Sequence, residues 1–266
     1  MLDRYGRQIN YLRVSVTDRC NLRCRYCMPE DGIQLLQHSE ILSFEEIFKV
    51  VRMAVEKGIT KVRLTGGEPL VRRGIVNLVG LIAKIDGIKD LTMTTNGVLL
   101  PDYAKDLVSA GLQRVNISLD TVHPDSYRRQ TRGGDIQRVF EGVKAALDAG
   151  LKPIKLNCVD GSHSTIADVK GVQKYGRQNG LEVRVIQQMT FATGCFSIVQ
   201  GGSGGDCKKC NRIRLSSDGK LRPCLFSDAF YDTRKLGAAE AIRQAVADKP
   251  ENGMPCGHTA MQSIGG

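Results

Sequence analysis

Between Tyr11 and Met189 the chain repeats one pattern six times: a short run rich in Val, Ile and Leu, then a stretch with apolar residues at helical spacing. No other feature constrains the fold as strongly. The predicted strands are Tyr11–Thr17, Lys61–Thr65, Asp90–Thr95, Arg114–Leu119, Lys152–Val159 and Glu182–Met189. Ser43-Phe-Glu-Glu46 has the capping-box pattern and opens one predicted helix; others span Ile75–Ile85, Pro101–Ala110, Ile136–Ala149 and Ile166–Asn179. Helices between successive strands supply the crossovers that a parallel sheet needs. Six units are too few for the eight-unit barrel. The expected fold is therefore α/β, a partial (β/α)6 barrel over residues 1–190, with its chemistry at the C-terminal ends of the strands. Beyond Met189 the texture changes. Gln200–Asp206 is Gly-rich and reads as a flexible joint, and residues 191–266 read as a C-terminal region with a helix around Ala238–Ala247 and a Gly265-Gly266 end.

At 266 residues, 41% hydrophobic and 25% charged, the chain can bury one large core or two modest ones. No run approaches a membrane span, and the N-terminus carries no charged-then-apolar signal, so a cytoplasmic location without membrane contact is expected. In a reducing compartment, nine cysteines point to metal ligation or free thiols rather than disulfides. The formal charge of +10 invites an anionic partner. Scattered basic residues, no Trp and 5% aromatics argue against a surface that stacks nucleic-acid bases. A phosphorylated small substrate fits better.

Cys20, Cys24 and Cys27 form a C-x3-C-x2-C run just after the first predicted strand. Three thiolates so spaced can take three corners of a cubic iron–sulfur cluster and leave one iron open to a small molecule. A structural zinc site closes with four ligands, and an electron-transfer [4Fe–4S] cluster takes four cysteines. A second set, Cys207, Cys210 and Cys224, is again three; zinc with Cys256 or His258 as fourth ligand is the alternative there. Cys158 and Cys195 have no partner spacing and read as core or incidental thiols. Leu64-Thr-Gly-Gly-Glu-Pro69, Thr94-Thr-Asn-Gly97 and Ser118-Leu-Asp120 put polar groups at successive strand ends, around one mouth. Arg13, Arg63, Lys155 and Arg184 lie within strands, where a charge is costly unless paired. They either snorkel outward or line the barrel and bind phosphate, and Arg212 and Arg214 bring more charge beside the second cysteine set. The four histidines show no catalytic spacing.

On these residues the chain resembles the radical S-adenosylmethionine (SAM) superfamily and, more narrowly, the GTP 3′,8-cyclase family of molybdenum cofactor biosynthesis. The matching segments are Arg13–Pro29, Val62–Pro69, Thr94–Gly97, Val115–Asp120, Cys207–Leu215, Leu221–Phe226 and the Gly-Gly tail. The resemblance implies two [4Fe–4S] clusters, one on Cys20, Cys24 and Cys27 and an auxiliary one on Cys207, Cys210 and Cys224 in the C-terminal region. It implies SAM contacts at Tyr26, Gly67, Ser118 and Met189, and GTP contacts at Arg13, Arg63, Thr94, Lys155, Arg212 and Arg214. Gly265 and Gly266 would support catalysis from the tail. It further implies a reductant protein such as flavodoxin or ferredoxin, a downstream cyclic pyranopterin monophosphate synthase, and a homodimer. Two departures stand out. The stretch from Met189 to Cys207 is shorter than the family's usual linker, and Gln187-Gln188 replaces an acidic-aromatic pair. They leave as an alternative a divergent radical SAM enzyme acting on another nucleotide or a peptide.

Overall fold

Six parallel strands follow one another across the sheet in chain order, as the alternation requires. The computed structural model describes residues 1–194 and 196–257; Cys195, His258, Gly265 and Gly266 lie outside them. The strands β1 (Tyr11–Ser15), β2 (Lys61–Thr65), β3 (Asp90–Thr95), β4 (Arg114–Ser118), β5 (Lys155–Asp160) and β6 (Glu182–Gln187) pair each with the next. The helices are α1 (Phe44–Glu56), α2 (Ile75–Ala83), α3 (Leu100–Ser109), α4 (Pro124–Thr131), α5 (Ile136–Asp148) and α6 (Ile166–Gln178). Alternate strand residues point to opposite faces. Leu12, Val14, Val62, Leu64, Met93, Val115 and Ile117 pack with Ile47, Val51, Leu78 and Val139 of the helices in one core. Ser43 and Glu46 make the expected reciprocal cap on α1.

Several boundaries move for local reasons. The strand expected from Lys152 starts at Lys155, because Pro153 has no N–H to give the ladder. The first strand ends at Ser15 rather than Thr17, where the chain turns toward the cysteine loop. Helix α4 has no counterpart among the predicted helices: Pro124-Asp-Ser-Tyr-Arg-Arg-Gln-Thr131 is almost wholly polar, and only Tyr127, Gln130 and Thr131 are buried. No apolar period announces such a helix.

The sheet also continues beyond six strands. β7 (Arg212–Leu215) lies parallel to β1, and β8 (Lys220–Arg222) and β9 (Tyr231–Asp232) follow antiparallel, giving nine strands. Two helices, α7 (Thr233–Leu236) and α8 (Ala238–Ala247), follow. The Gly-rich segment is packed, not a loose joint. Gln200 bridges Val185 of β6, and a Cβ on Gly201 or Gly205 would lie 2.6 Å from the Val183 carbonyl or 2.1 Å from the Ser197 carbonyl. Glycine serves close backbone approach here. Among the described residues no helix is long and apolar enough to cross a membrane.

Candidate active site

The strand ends surround a cavity of about 550 Å³. Its wall holds Cys20, Cys24 and Cys27 from the loop after β1, Gly67 and Glu68 after β2, and Ser118 and Asp120 at the end of β4. Within the loop, the Cys24 carbonyl accepts from the amides of Cys27 (3.1 Å) and Met28 (2.9 Å), closing a tight turn. Helix α4 cradles it: Arg23 and Arg25 amides donate to the Thr131 and Gln130 carbonyls, and Arg132 Nη1 donates to the Arg23 and Met28 carbonyls at 2.9 Å. From the other side, the Gly67 and Glu68 amides donate to the Thr17 and Arg19 carbonyls at 2.8 Å. A Cβ on Gly67 would stand 2.4 Å from the Arg19 carbonyl oxygen. Gly67→Ala must therefore push the cysteine loop away. Overpacking costs typically ~1–3 kcal/mol, so the stability of the ligand-free protein, read by urea denaturation, should fall by about that much.

Burial pushes all three thiols up; the Cys20 charge further raises Cys24 and Cys27, and the Cys27 charge raises Cys24. Cys27 reaches about 12, with Asp120 adding to the burial, and Cys24 goes higher still. Three thiolates in one buried wall need positive charge among them, and the iron of a cluster supplies it. Three thiols fall short of the four ligands that close a structural zinc site and match three corners of a cluster. The donor set fits a cluster.

Glu68 is 1% exposed and accepts from Thr95 Oγ1 (2.8 Å) and from the amides of Asn96 (2.7 Å) and Leu70 (3.0 Å). Burial outweighs these bonds and pushes its carboxyl up to about 7. Asp120 is likewise raised by burial to about 6, although the Val159 amide and the Tyr26 hydroxyl bond it. A carboxyl raised on folding adds stability that is complete below its ordinary value of 4.5 and is lost as pH climbs through about 7. That is about 3 kcal/mol at most for Glu68. Glu68→Gln should remove most of the stability loss between pH 4.5 and 7, read by urea denaturation of the ligand-free protein across that range.

Deeper along the strands lies a belt of arginines. Register places Arg214, Arg13, Arg63, Thr92 and Arg114 side by side on β7, β1, β2, β3 and β4. Two residues back, Tyr11 sits between the Arg63 and Arg212 guanidinium groups, each 5.5 Å from its ring. Arg63 Nε donates to Thr92 Oγ1 at 3.1 Å. Burial, then mutual repulsion, lowers the arginines: Arg13 well below its ordinary value and Arg214 to about 10. Burial would raise Tyr11, but Arg63, Arg13, Arg212 and Arg214 together pull it down. Among the described residues seven basic side chains line the cavity against the acids Glu68, Asp90 and Asp120, and Asp90 is held by Arg114 at 2.8 Å. Thr94 Oγ1, Asn157 Oδ1, Arg184 Nε and Arg212 Nε make no hydrogen bond among the described residues. Such a wall suits a polyanion.

The second cysteine set flanks β7 and β8. Cys207–Lys209 is a single helical turn capped by Asp206, and the Cys210 amide donates to the Cys207 carbonyl at 3.1 Å. Arg7, paired with Asp3 at 2.6 Å, donates to the Cys207 (2.8 Å) and Pro250 (2.6 Å) carbonyls, so an N-terminal hook holds this turn. Cys224 packs with Met189, Phe191, Phe196 and Cys256 against Leu225 and Phe226. Burial would raise the Cys210 thiol, but Lys249 and Arg212 outweigh it and hold it below its ordinary value.

Of the residues singled out in the sequence, Tyr26, Gly67, Ser118, Met189, Arg13, Arg63, Thr94, Arg212 and Arg214 all line the cavity with the first thiol set. Lys155 does not; it begins β5 with its ammonium on the Glu182 carboxylate. Cys207, Cys210 and Cys224 are also outside the lining, although Asn211, Arg212 and Leu225 beside them are in it. Gly265 and Gly266 lie outside the described residues. Sequence reasoning missed Tyr11 and the whole of α4. Tyr11 carried a signal, since it stands two residues before Arg13 on the same strand face. Gln187 and Gln188 brace the loop after β5, with Gln187 Nε2 donating to Asp160 (2.8 Å) and the Ser162 amide donating to Gln188 Oε1 (2.9 Å).

Residues 14–175 match the family model described as the Radical SAM superfamily. Relatives named GTP 3′,8-cyclase include the protein of Petrotoga mobilis, 41% identical over 94% of each chain, and that of Thermodesulfovibrio yellowstonii, 40% identical over 92% of each. The Moorella thermoacetica protein of the same name is 39% identical over the full length of both. That alignment runs over 323 positions against 266 residues here, so 57 positions have no counterpart in this chain. Among solved structures, Streptococcus suis SuiB bound to precursor peptide SuiA has a TM-score of 0.67 at 15% identity, over 92% of this chain and 66% of SuiB. The anSMEcpe structure with bound AdoMet and Cp18Cys peptide has a TM-score of 0.65 at 17% identity, over 91% of this chain and 81% of its own. At such identity the likeness shows the fold alone: a partial (β/α) barrel of the radical SAM type.

Proposed function

This chain belongs to the GTP 3′,8-cyclase family of the radical SAM superfamily, and from that premise we propose that it converts GTP to (8S)-3′,8-cyclo-7,8-dihydroguanosine 5′-triphosphate in molybdenum cofactor biosynthesis. The observation that carries this reading is a single cavity with a buried thiol triad at the strand ends and a belt of arginines deeper in the same wall. Its cofactors are SAM and two [4Fe–4S] clusters, one on Cys20, Cys24 and Cys27 and one on Cys207, Cys210 and Cys224. When bound at Cys20, Cys24 and Cys27, the first cluster would supply the one-electron reduction of SAM from which radical chemistry on the ribose starts.

The chain's own residues bind and orient. Tyr26, Gly67, Ser118 and Met189 would contact SAM at the thiol end. Arg13, Arg63, Thr94, Arg212 and Arg214 would hold GTP, because guanidinium forks match phosphate oxygens and a purine edge. Lys155 would join them on leaving Glu182. A cavity of about 550 Å³ is ordinary for a small-molecule site, where ~300–1,000 Å³ is usual. Gly265 and Gly266 are assigned to support catalysis from the tail. The electron would come from a flavodoxin or ferredoxin, a cyclic pyranopterin monophosphate synthase would take the product, the active form would be a homodimer, and the reaction would run in the cytoplasm. Residues 1–190 would form the barrel and 191–266 the auxiliary-cluster region.

The test is an anaerobic reaction with SAM, a reductant and GTP, expected to yield 5′-deoxyadenosine and a cyclised guanosine nucleotide together. Deoxyadenosine without any change in the nucleotide would overturn the substrate, and no deoxyadenosine at all would overturn the radical chemistry.

A further inference from the structure

A buried lysine just past the end of α8 stands behind the second cysteine set. Lys249 is 1% exposed and takes no part in lining the cavity. Its Nζ donates to the carbonyls of Arg212 and Pro223, both at 2.8 Å, and its charge acts on the Cys210 thiol. Arg212 lies two residues after Cys210, and Pro223 directly precedes Cys224. One nitrogen therefore ties together the two backbone segments that carry these cysteines.

Lys249 forms no ion pair with a carboxylate among the described residues. A buried cation without a carboxylate is expensive unless other negative charge is close by. Thiolates and the cluster they hold would be that charge. Arg212 and Arg214 are also near the thiols, but both face the cavity, where a polyanionic substrate would compete for them. Lys249 is not among the cavity-lining residues, so its charge acts on the cysteine site whether or not substrate is bound.

We propose that Lys249 is a positioning residue for the second cluster: it holds the Cys210 and Cys224 segments together and, as a fixed positive charge beside Cys210, raises that cluster's reduction potential. The inference rests on the reading that Cys207, Cys210 and Cys224 hold a cluster. A cation in a poorly solvated site favours the form carrying the extra electron, and hydrogen bonds and charges around the sulfurs are established means of setting such potentials.

The test uses the full-length chain with Cys20, Cys24 and Cys27 replaced by Ala, so that only the second set can load. Iron per chain and an EPR-monitored redox titration are then compared for this parent, Lys249→Met and Lys249→Arg. The expected result is a potential shifted negative in Lys249→Met and close to the parent in Lys249→Arg. Loss of the cluster in Lys249→Met alone, with Lys249→Arg loaded, would equally bear out the role of the charge. An unchanged potential in Lys249→Met, or loss of the cluster in both variants alike, would overturn the proposal. A parent that binds no iron would instead overturn the cluster reading on which it rests.

Discussion

Cys24→Ser is expected to abolish SAM cleavage, while Cys224→Ser keeps part of that cleavage and loses the cyclised nucleotide. The asymmetry follows from where the two sets sit. Cys24 lies in the cavity wall with Cys20 and Cys27, and its thiol is coupled to both through their charges. Removing one donor leaves two thiols on a loop whose shape depends on α4 and the Gly67 contact, with nothing to complete three corners of a cluster. Even partners outside a metal's first ligand sphere are worth ~10–100-fold, so a lost ligand should cost more than about a hundredfold in 5′-deoxyadenosine formed. Cys224 belongs to a different neighbourhood, packed on Leu225 and Phe226 beyond β8 and outside the cavity lining. Its loss leaves the first loop and its bonds from Thr131, Gln130 and Arg132 untouched. Chromatography of deoxyadenosine and nucleotide from the same anaerobic reactions, with iron counted per chain, separates the two effects. Normal nucleotide product from Cys224→Ser would show that the second set is not needed.

The parts of this site that are legible in the sequence are those with a short-range period. Strands announce themselves by alternation, so the residue pattern by itself assigns Arg13 and Arg63 to strand interiors and sets Arg212 and Arg214 beside the second cysteine pair. That they form one belt depends on register between β7 and β1, segments about 200 residues apart, which no local pattern encodes. Helix α4 holds the cysteine loop through backbone carbonyls, and carbonyls leave no mark on residue identity. Lys155 has the right face and the wrong partner, since its charge is answered by Glu182 across the β5–β6 pair. No sequence pattern singles out Lys249, two residues past the helix around Ala238–Ala247. Its burial arises only because the Arg212 and Pro223 carbonyls meet there. The Gly-rich segment misleads in the opposite sense, because glycine permits close backbone contact as well as looseness.

Arg214→Met should do two opposite things: stabilise the ligand-free protein and weaken nucleotide binding. Arg214 is 5% exposed, beside Arg13 in register and with Arg212 two residues away, and burial followed by repulsion from Arg212 lowers it to about 10 from 12.5. A base lowered on folding subtracts stability at every pH below its folded value and returns it only above about pH 10. At neutral pH the cost is about 3 kcal/mol by the size of that shift. An apolar side chain of similar length removes it, and replacing buried ions by packed apolar groups is often worth ~1–4 kcal/mol. With ~2–4 °C per kcal/mol in a chain of this size, the melting temperature without ligand should rise by several degrees. The same substitution deletes one of the cavity-lining guanidinium groups proposed to hold GTP. Truncating one member of a buried charge pair costs ~2–5 kcal/mol, so GTP affinity should fall about thirtyfold or more. Ligand linkage makes both readable in one calorimetric experiment: saturating GTP should raise the parent's melting temperature strongly and the variant's only weakly. Pyrophosphate should also stabilise the parent, because the belt presents charge rather than a base-shaped surface. A variant that melts lower without ligand yet gains as much from GTP as the parent would show that the belt is a structural network and not a site held open for a polyanion.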